Sequence, residues 1–364
     1  MSFADLGVSG PVVRALSKRG ITAPFAVQEL VIADVLDGRD VLVQSPTGSG
    51  KTLAFGAPLV DLIDPDDGCP AALVLAPTRE LALQIVDDLA DLAAVRRLSI
   101  APVYGGAGLE RQAKRAARAQ IVVATPGRLE DLLTRRAFGL DRVKVLVIDE
   151  ADRMLDMGFK PAVDRIVARI PRDRQTLFFS ATLESAAGKL ARSYTRDAVT
   201  RVHRPSQANA SKVAHRFVHL EHADKLDALI AELEHESAQR TLVFVRTKRG
   251  ADRLVKRLRA RNVEAVAMHG DKSQGQRERA LARFARGDVA TLVATDVAAR
   301  GIDVDEISHV INFDAPGDRD TYVHRTGRTG RASRDGCSVS FVIPDQRREM
   351  ASIAKSLALS GEFK

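Results

Sequence analysis

The residues able to do chemistry gather first in Ser45-Pro46-Thr47-Gly48-Ser49-Gly50-Lys51-Thr52, where a short apolar run, Val41 to Gln44, gives way to a helical pattern. Gly48 and Gly50 can take positive φ and let backbone N–H groups approach an anion. Lys51 adds a point charge suited to β- and γ-phosphates, and the Thr52 hydroxyl suits Mg²⁺. The N-terminus of the helix that follows favours anions in its own right. One position departs from the usual G-x-x-x-x-G-K-S/T spacing: Ser45 stands where the first glycine is expected. A second group, Asp149-Glu150-Ala151-Asp152, follows directly on Val145-Leu146-Val147-Ile148. Asp149, at the strand end, is placed to hold Mg²⁺, commonly through water. Glu150 can polarise, or take a proton from, a water attacking a γ-phosphate. A phosphate loop with paired acids downstream predicts a nucleotide site.

The elements that must position these groups are legible as a repeating pattern. Apolar, β-branched-rich runs at 41–44, 72–77, 101–106, 121–126, 145–149 and 176–182 alternate with helical stretches. After a polar, turn-rich interval the pattern resumes at 242–247, 263–270, 291–296, 309–316 and 337–344. Near-continuous apolar strands separated by helices predict parallel sheets covered on both faces, and two such series predict two α/β domains. The polar, proline-containing stretch from Arg204 to Ser211 marks the boundary. It gives domains at 1–204 and 212–364 with a linker at 205–211. Ligands of open parallel sheets bind beyond the carboxyl ends of the strands. Nearly every predicted strand here ends in polar, glycine-rich or charged residues.

With 364 residues the chain can form two ordinary domains, and 45% hydrophobic with 28% charged residues fits a globular protein. No apolar run approaches the ~20 residues needed to span a bilayer, and the N-terminus has no signal-peptide pattern, so a cytoplasmic location is expected. Cys69 and Cys337 lie far apart and give no metal spacing; reduced core thiols are expected. The net charge of +8 suits a polyanion as partner. It is shared between the halves, with 28 basic and 25 acidic residues in 1–205 and 27 and 22 in 206–364. Without Trp and with three Tyr, stacking platforms are few, so nucleic acid would be held by its backbone with low sequence preference.

The loop at 45–52 and Asp149-Glu150-Ala151-Asp152 resemble the DEAD-box family of ATP-dependent RNA helicases in superfamily 2, and the resemblance runs from Phe3 to about Pro344 in the family's motif order. It implies two tandem RecA-like domains, each a parallel sheet flanked by helices, with ATP and Mg²⁺ as cofactors. Residues 20–28 resemble the adenine-reading Q motif, in which Gln28 has the donor and acceptor for an adenine edge and Phe3 matches the upstream aromatic. Ile21 replaces a common aromatic and Phe25 the usual Thr or Ser. Pro77-Thr78-Arg79-Glu80-Leu81, Gly105-Gly106 and Thr125-Pro126-Gly127-Arg128 match RNA-contacting motifs, and suit phosphate and sugar contacts. Between them Arg111, Lys114, Arg115 and Arg118 recur at helical spacing.

Ser180-Ala181-Thr182 matches the motif that couples hydrolysis to strand separation, expected to act through hydroxyl bonds to the Asp149–Asp152 segment. In the second domain Val243 to Thr247 resembles the fourth motif, and Gln274 and Arg277 match a Q-x-x-R pair. In the stretch from Ala294 to Asp303, Thr295 and Arg300 would touch RNA, while Gly301 and Asp303 would face the nucleotide. In His324-Arg325-Thr326-Gly327-Arg328-Thr329-Gly330-Arg331, Arg328 and Arg331 correspond to arginine fingers and His324 to a coupling position. The implied activity is RNA-dependent ATP hydrolysis with local unwinding of short duplexes. Two alternatives remain open: an ATP-gated RNA clamp and a DNA helicase of the same superfamily. The chain stops soon after the second domain, as either a minimal core or a core lacking its C-terminal tail.

Overall fold

A computed structural model of the chain describes residues 1–46, 48–183, 186–203, 213–235, 239–299, 304, 307–330 and 335–363. Thr47, the expected linker 205–211, Arg300, Gly301, Asp303 and Arg331 lie outside the described residues, as does the side chain of Gln274. The chain divides into two units, Met1–Arg204 and Pro205–Lys364.

The first unit opens with α1 (Gly10–Lys18) and α2 (Ala26–Leu36). It then runs β1 (Val41–Gln44), α3 (Lys51–Leu62), β2 (Ala72–Leu75), α4 (Arg79–Val95), β3 (Ile100–Val103), α5 (Leu109–Ala116), β4 (Ile121–Ala124), α6 (Pro126–Thr134) and β5 (Val145–Ile148). It closes with α7 (Ala151–Asp156), α8 (Lys160–Val167), β6 (Gln175–Ser180), α9 (Ala186–Tyr194) and β7 (Val199–Val202). All seven strands are parallel, in the order β3-β4-β2-β5-β6-β1-β7. Val41, Val43, Val145, Val147, Leu177 and Phe179 pack into a core on one face, while Leu42, Leu146, Ile148 and Phe178 pack into a core on the other. Burial on both faces is why these strands read as continuous apolar runs. Gln44 is in register with Ser180, and Leu75 with both Ala124 and Ile148. The loops after β1, β2, β4, β5 and β6 therefore leave the sheet along one edge.

The second unit runs β8 (Val213–His219), α10 (Lys225–Leu233), β9 (Thr241–Phe244), α11 (Lys248–Arg259), β10 (Ala265–Met268), α12 (Gln274–Arg286), β11 (Thr291–Ala294), α13 (Asp296–Ala299), β12 (His309–Asn312), α14 (Arg319–Thr326), β13 (Gly336–Val342) and α15 (Arg347–Ser356). Its six strands are again parallel, in the order β10-β11-β9-β12-β13-β8. Leu242, Leu292 and Val310 face one core and Val243, Val293 and Ile311 the other. Among the described residues no helix is long and apolar enough to cross a membrane. Cys69 and Cys337 are free thiols, both half-buried.

Two strands fall where the sequence reads as polar and turn-rich. Both β7 and β8 are sheet edges, and their side chains alternate between half-buried and exposed over most of their length. An edge strand needs no apolar run, so neither carries one.

Helix α3, which starts at Lys51, crosses α4 closely at Gly56. A Cβ there would stand 2.2 Å from Cδ2 of Leu89, a side chain buried in the core. Gly56→Val is expected to destabilise the protein by about 1–3 kcal/mol through overpacking, read by urea unfolding. An unchanged midpoint would show that α3 and α4 can separate freely.

Candidate active site

The phosphate-loop sequence folds as a turn between β1 and α3 that is tied to the sheet and to itself. The Ser45 amide donates to the Ser180 carbonyl at 2.9 Å. The Ser45 and Ser49 hydroxyls are hydrogen-bonded at 2.7 Å, and Ser49 Oγ donates to the Pro46 carbonyl at 2.9 Å. Serine at the first position thus gives the loop a cross-link that glycine lacks. Gly48 and Gly50 take φ of +76° and +90°, the left-handed values glycine permits. Lys51 opens α3, and its ammonium is buried and donates to the Ser45 carbonyl at 3.3 Å. Thr52 follows in the first helical turn.

Gln28 is buried against this loop. Its amide oxygen accepts from the Phe25 amide at 2.8 Å, and its Nε2 donates to the Gly50 carbonyl at 3.0 Å. One donor and one acceptor are therefore spent on joining residues 25–28 to the phosphate loop. Phe3, matched to the motif's upstream aromatic, is 1% exposed and lies in the apolar core. Ile21 is half-buried against the same core. The exposed aromatic is Phe25, 62% exposed, whose ring edge lies 2.7 Å from where a Cβ on Gly50 would stand.

Beyond β5, Asp149 is 2% exposed and Glu150 is also buried. Burial pushes the Asp149 carboxyl up to about 6; the Lys51 ammonium opposes the rise, and Glu150 and Asp152 add to it. The Glu150 amide donates to Asp149 Oδ1 at 2.9 Å. Glu150 sits at φ +49°, ψ +50°, a left-handed conformation that costs a non-glycine residue on the order of 1–2 kcal/mol. Its carboxylate accepts from Arg153 Nη1 at 2.6 Å, a buried pair one turn apart at the start of α7. Arg153 is a site residue that motif reading passed over; its signal was an i, i+3 spacing from Glu150.

A backbone amide joins this segment to Ser180-Ala181-Thr182. The Ala181 amide donates to Asp152 Oδ2 at 3.0 Å, whereas the Ser180 hydroxyl turns on its own segment and donates to the Thr182 carbonyl at 2.7 Å. Because β6 lies between β1 and β5, its last residues bond to both loops, through the Ser180 carbonyl on one side and the Ala181 amide on the other.

Further along the same edge the three expected RNA motifs converge on the turn after β3. Arg79 Nη1 donates to the Gly105 carbonyl at 3.3 Å and its guanidinium lies 4.4 Å from the Tyr104 ring centroid. Arg128 Nη1 donates to the Ala107 carbonyl at 2.9 Å. Thr78 caps α4 by accepting from the Leu81 amide, and Pro77 precedes it. Thr125 precedes α6, whose first residues are Pro126 and Gly127. Gln112 of α5, unnoticed in the sequence, bonds both the amide and the carbonyl of Tyr104. Gly106 takes φ +86° and packs on Arg79, whereas Gly105 and Gly127 face open space. Arg111, Lys114, Arg115 and Arg118 are all exposed.

In the second unit Thr247 caps α11 by accepting from the Gly250 amide at 3.0 Å. Gln274 opens α12, with Arg277 in its first turn, half-buried. Thr295 is buried before α13, and His324 is half-buried on α14. Arg328, the described member of the expected finger pair, is 4% exposed. Its neighbour Arg325, outside the expectations, makes a bidentate pair with Asp296 at 2.6 and 2.8 Å and donates to Asn312 Oδ1 and the Asp314 carbonyl. It holds α14 to the ends of β11 and β12. No spacing rule points to it, because its partners lie in two stretches distant in sequence, at Asp296 and at Asn312 to Asp314.

An acid whose folded-state pKa is raised favours the fold when protonated, so Asp149 subtracts stability as pH climbs from its ordinary 3.8 through about 6. Asp149→Asn is therefore expected to stabilise the nucleotide-free protein by on the order of 2 kcal/mol at about pH 8, the gain shrinking toward about pH 4. Urea unfolding at both pH values checks this, and equal stabilities at the higher pH would overturn it.

Comparison with known proteins accords with this geometry. The family model described as DEAD/DEAH box helicase matches residues 25–190, and that described as Helicase conserved C-terminal domain matches residues 224–333. The chain is 39% identical over 356 residues to the ATP-dependent RNA helicase CshA of Limosilactobacillus reuteri, covering 98% of this chain and 72% of that one. It is 43% identical over 357 residues to the ATP-dependent RNA helicase DeaD of Mycobacterium tuberculosis, again covering 98% of this chain but 63% of the relative's length. The structure of S. cerevisiae Dbp5 bound to RNA and ADP BeF3 superposes with a TM-score of 0.89 at 30% identity, covering 100% of this chain and 94% of that one. The parallel sheets, the phosphate loop and these likenesses together place the chain in the DEAD-box family of superfamily 2, the ATP-dependent RNA helicases.

Proposed function

We propose that this chain is an RNA-stimulated ATPase that locally separates short RNA duplexes as its two units close on one ATP and one RNA strand. The observation that carries this reading is the shared sheet edge. Lys51, Asp149 and Glu150 stand at the ends of β1 and β5, while Arg79 and Arg128 gather at the turn after β3 on the same edge. A nucleotide and a polyanion can thus be read by one rigid scaffold.

In this proposal residues 45–50 and Lys51 hold the phosphates, and the adenine lies against Gln28 and stacks on Phe25, which takes the part that Ile21 cannot. Thr52 and Asp149 would hold Mg²⁺, which offsets charge on the β- and γ-phosphates. The donor set fits a hard cation: hydroxyl and carboxylate oxygens, with a buried Asp149 whose ionised form needs a positive partner. Glu150, held by Arg153, takes the proton of the attacking water. The Asp152–Ala181 bond carries the nucleotide state to the end of β6. Thr47, Gly301 and Asp303 complete the nucleotide contacts. Arg328 and Arg331 belong to the second unit and the acids to the first, so hydrolysis requires both units.

RNA would run over Pro77–Arg79, Gly105, Gly106 and Thr125–Arg128. In the second unit it would meet Thr247, Gln274, Arg277, Thr295 and Arg300, mostly through phosphates and sugars. Gly105 and Gly127, where an added Cβ would meet nothing within 4 Å, leave backbone accessible to a strand. RNA bound by both units favours closure and so speeds turnover.

Steady-state ATP hydrolysis with no nucleic acid, with single-stranded RNA and with DNA of the same sequence tests the reading. Stimulation by RNA alone is expected, since the 2′-hydroxyl distinguishes the two; equal stimulation by DNA would overturn it. Glu150→Gln is expected to keep ATP and RNA binding while turnover falls at least ~100-fold, the scale of general-base assistance. Near-normal turnover in that variant would remove Glu150 from the chemistry.

A further inference from the structure

The positive charge of this chain is not spread evenly. Residues 248–286 hold 12 lysines and arginines against 4 acids, a net charge of +8 in 39 residues. That equals the net charge of the whole chain, so the other 325 residues balance to zero. The stretch is α11, the edge strand β10 and α12, and between the two helices lies an open cleft of about 510 Å³. Lys256 and Arg259 line it from α11, Arg279 and Arg283 from α12, and Lys272 from the loop between, with Asp252 as the acid.

The fold uses only part of this charge. Lys272 pairs with Asp252 at 2.8 Å, Arg259 donates to the Ala265 carbonyl, and Arg283 reaches Glu264 only at 3.5 Å. Lys256 and Arg279 are exposed, and neither has an ion pair among the described residues. Arg279 and Arg283 are one turn apart on the same helix face, where like charges repel. Five cations converging on a concave surface oppose folding slightly and suit a row of phosphates.

The cleft is not the strand-binding edge itself. Thr247 caps α11 and Arg277 lies in the first turn of α12; the cleft begins beside them, at Asp252, Lys272 and Gln276, and runs on along both helices to Arg259 and Arg283, with Lys256 about 13 Å from Thr247 at 1.5 Å per helical residue. A nucleic acid held at that edge meets Lys256, Arg259 and Arg283 only if it continues past the motif residues.

We propose that the cleft between α11 and α12 binds phosphates of RNA extending beyond the strand gripped by the motif residues, a second foothold that lengthens the footprint. This rests on the RNA-helicase reading above. The test is the triple variant Lys256→Gln, Arg279→Gln, Arg283→Gln, with RNA affinity measured against a graded series of RNA lengths and salt concentrations. For long RNA, affinity is expected to fall at least ~10-fold and the log–log salt slope to drop by about 2, near 0.7 for each phosphate no longer neutralised. For the shortest RNA that stimulates turnover, affinity and stimulated hydrolysis should match the parent, and thermal stability should hold. An equal fall in affinity at every length would make the cleft part of the motif site and overturn the proposal. Unchanged binding at every length would overturn it too, leaving an acidic protein surface as the partner. If the parent chain binds RNA of no length, the failure belongs to the RNA-helicase reading instead.

Discussion

Two carboxylates at the end of a buried parallel strand are the constraint on which the first unit turns. Side by side in a low dielectric, Asp149 and Glu150 cannot both stay ionised without cations at hand. Arg153 is supplied from the next helical turn, but Lys51 comes from a different part of the chain. Lys51 opens α3, which follows β1, so its position depends on β1 lying one strand removed from β5, with β6 between them. The strand order is therefore as much a part of the charge compensation as the residues are. Because β6 touches both loops, through Ser180 to Ser45 and through Ala181 to Asp152, a change at either loop is felt at its end.

The second unit shows the same economy with a different residue. Arg325 spends its guanidinium on Asp296, Asn312 and the Asp314 carbonyl, joining the ends of two strands to α14. Such a fork needs planar, fixed donors, which lysine does not offer. Arg328, two residues past the end of α14, follows the helix that Arg325 anchors.

What could be read in the sequence follows from range. The strand-loop-helix at 41–52 and the acids at 149–152 are local patterns whose chemistry needs no distant partner to be recognised, and the apolar strands announce themselves because both faces are buried. Where an assignment depended on a side chain's destination, the outcome varied. Phe3 goes to the core, since an aromatic near a chain terminus has the same composition whether it packs or binds. Ser180 bonds within its own segment, and the Ala181 amide, a group every residue but proline carries, reaches Asp152. Strands β7 and β8 escaped because edges tolerate polar alternation. Arg153 hid in plain view one turn from Glu150, while Arg325 finds its partners at two strand ends and leaves no local trace.

The pairing of β1 has a consequence for how the protein is made. Its partners are β6 and β7, so residues 41–44 wait for residues 175–180 and 199–202 before either side of the strand is hydrogen-bonded. The phosphate loop is written early in the chain but can be assembled only after some 130 intervening residues have been added. A ribosome must therefore finish nearly the whole first unit before the nascent chain can grasp a nucleotide. Until then the apolar β1 is a strand without neighbours, the kind of segment that chaperones protect.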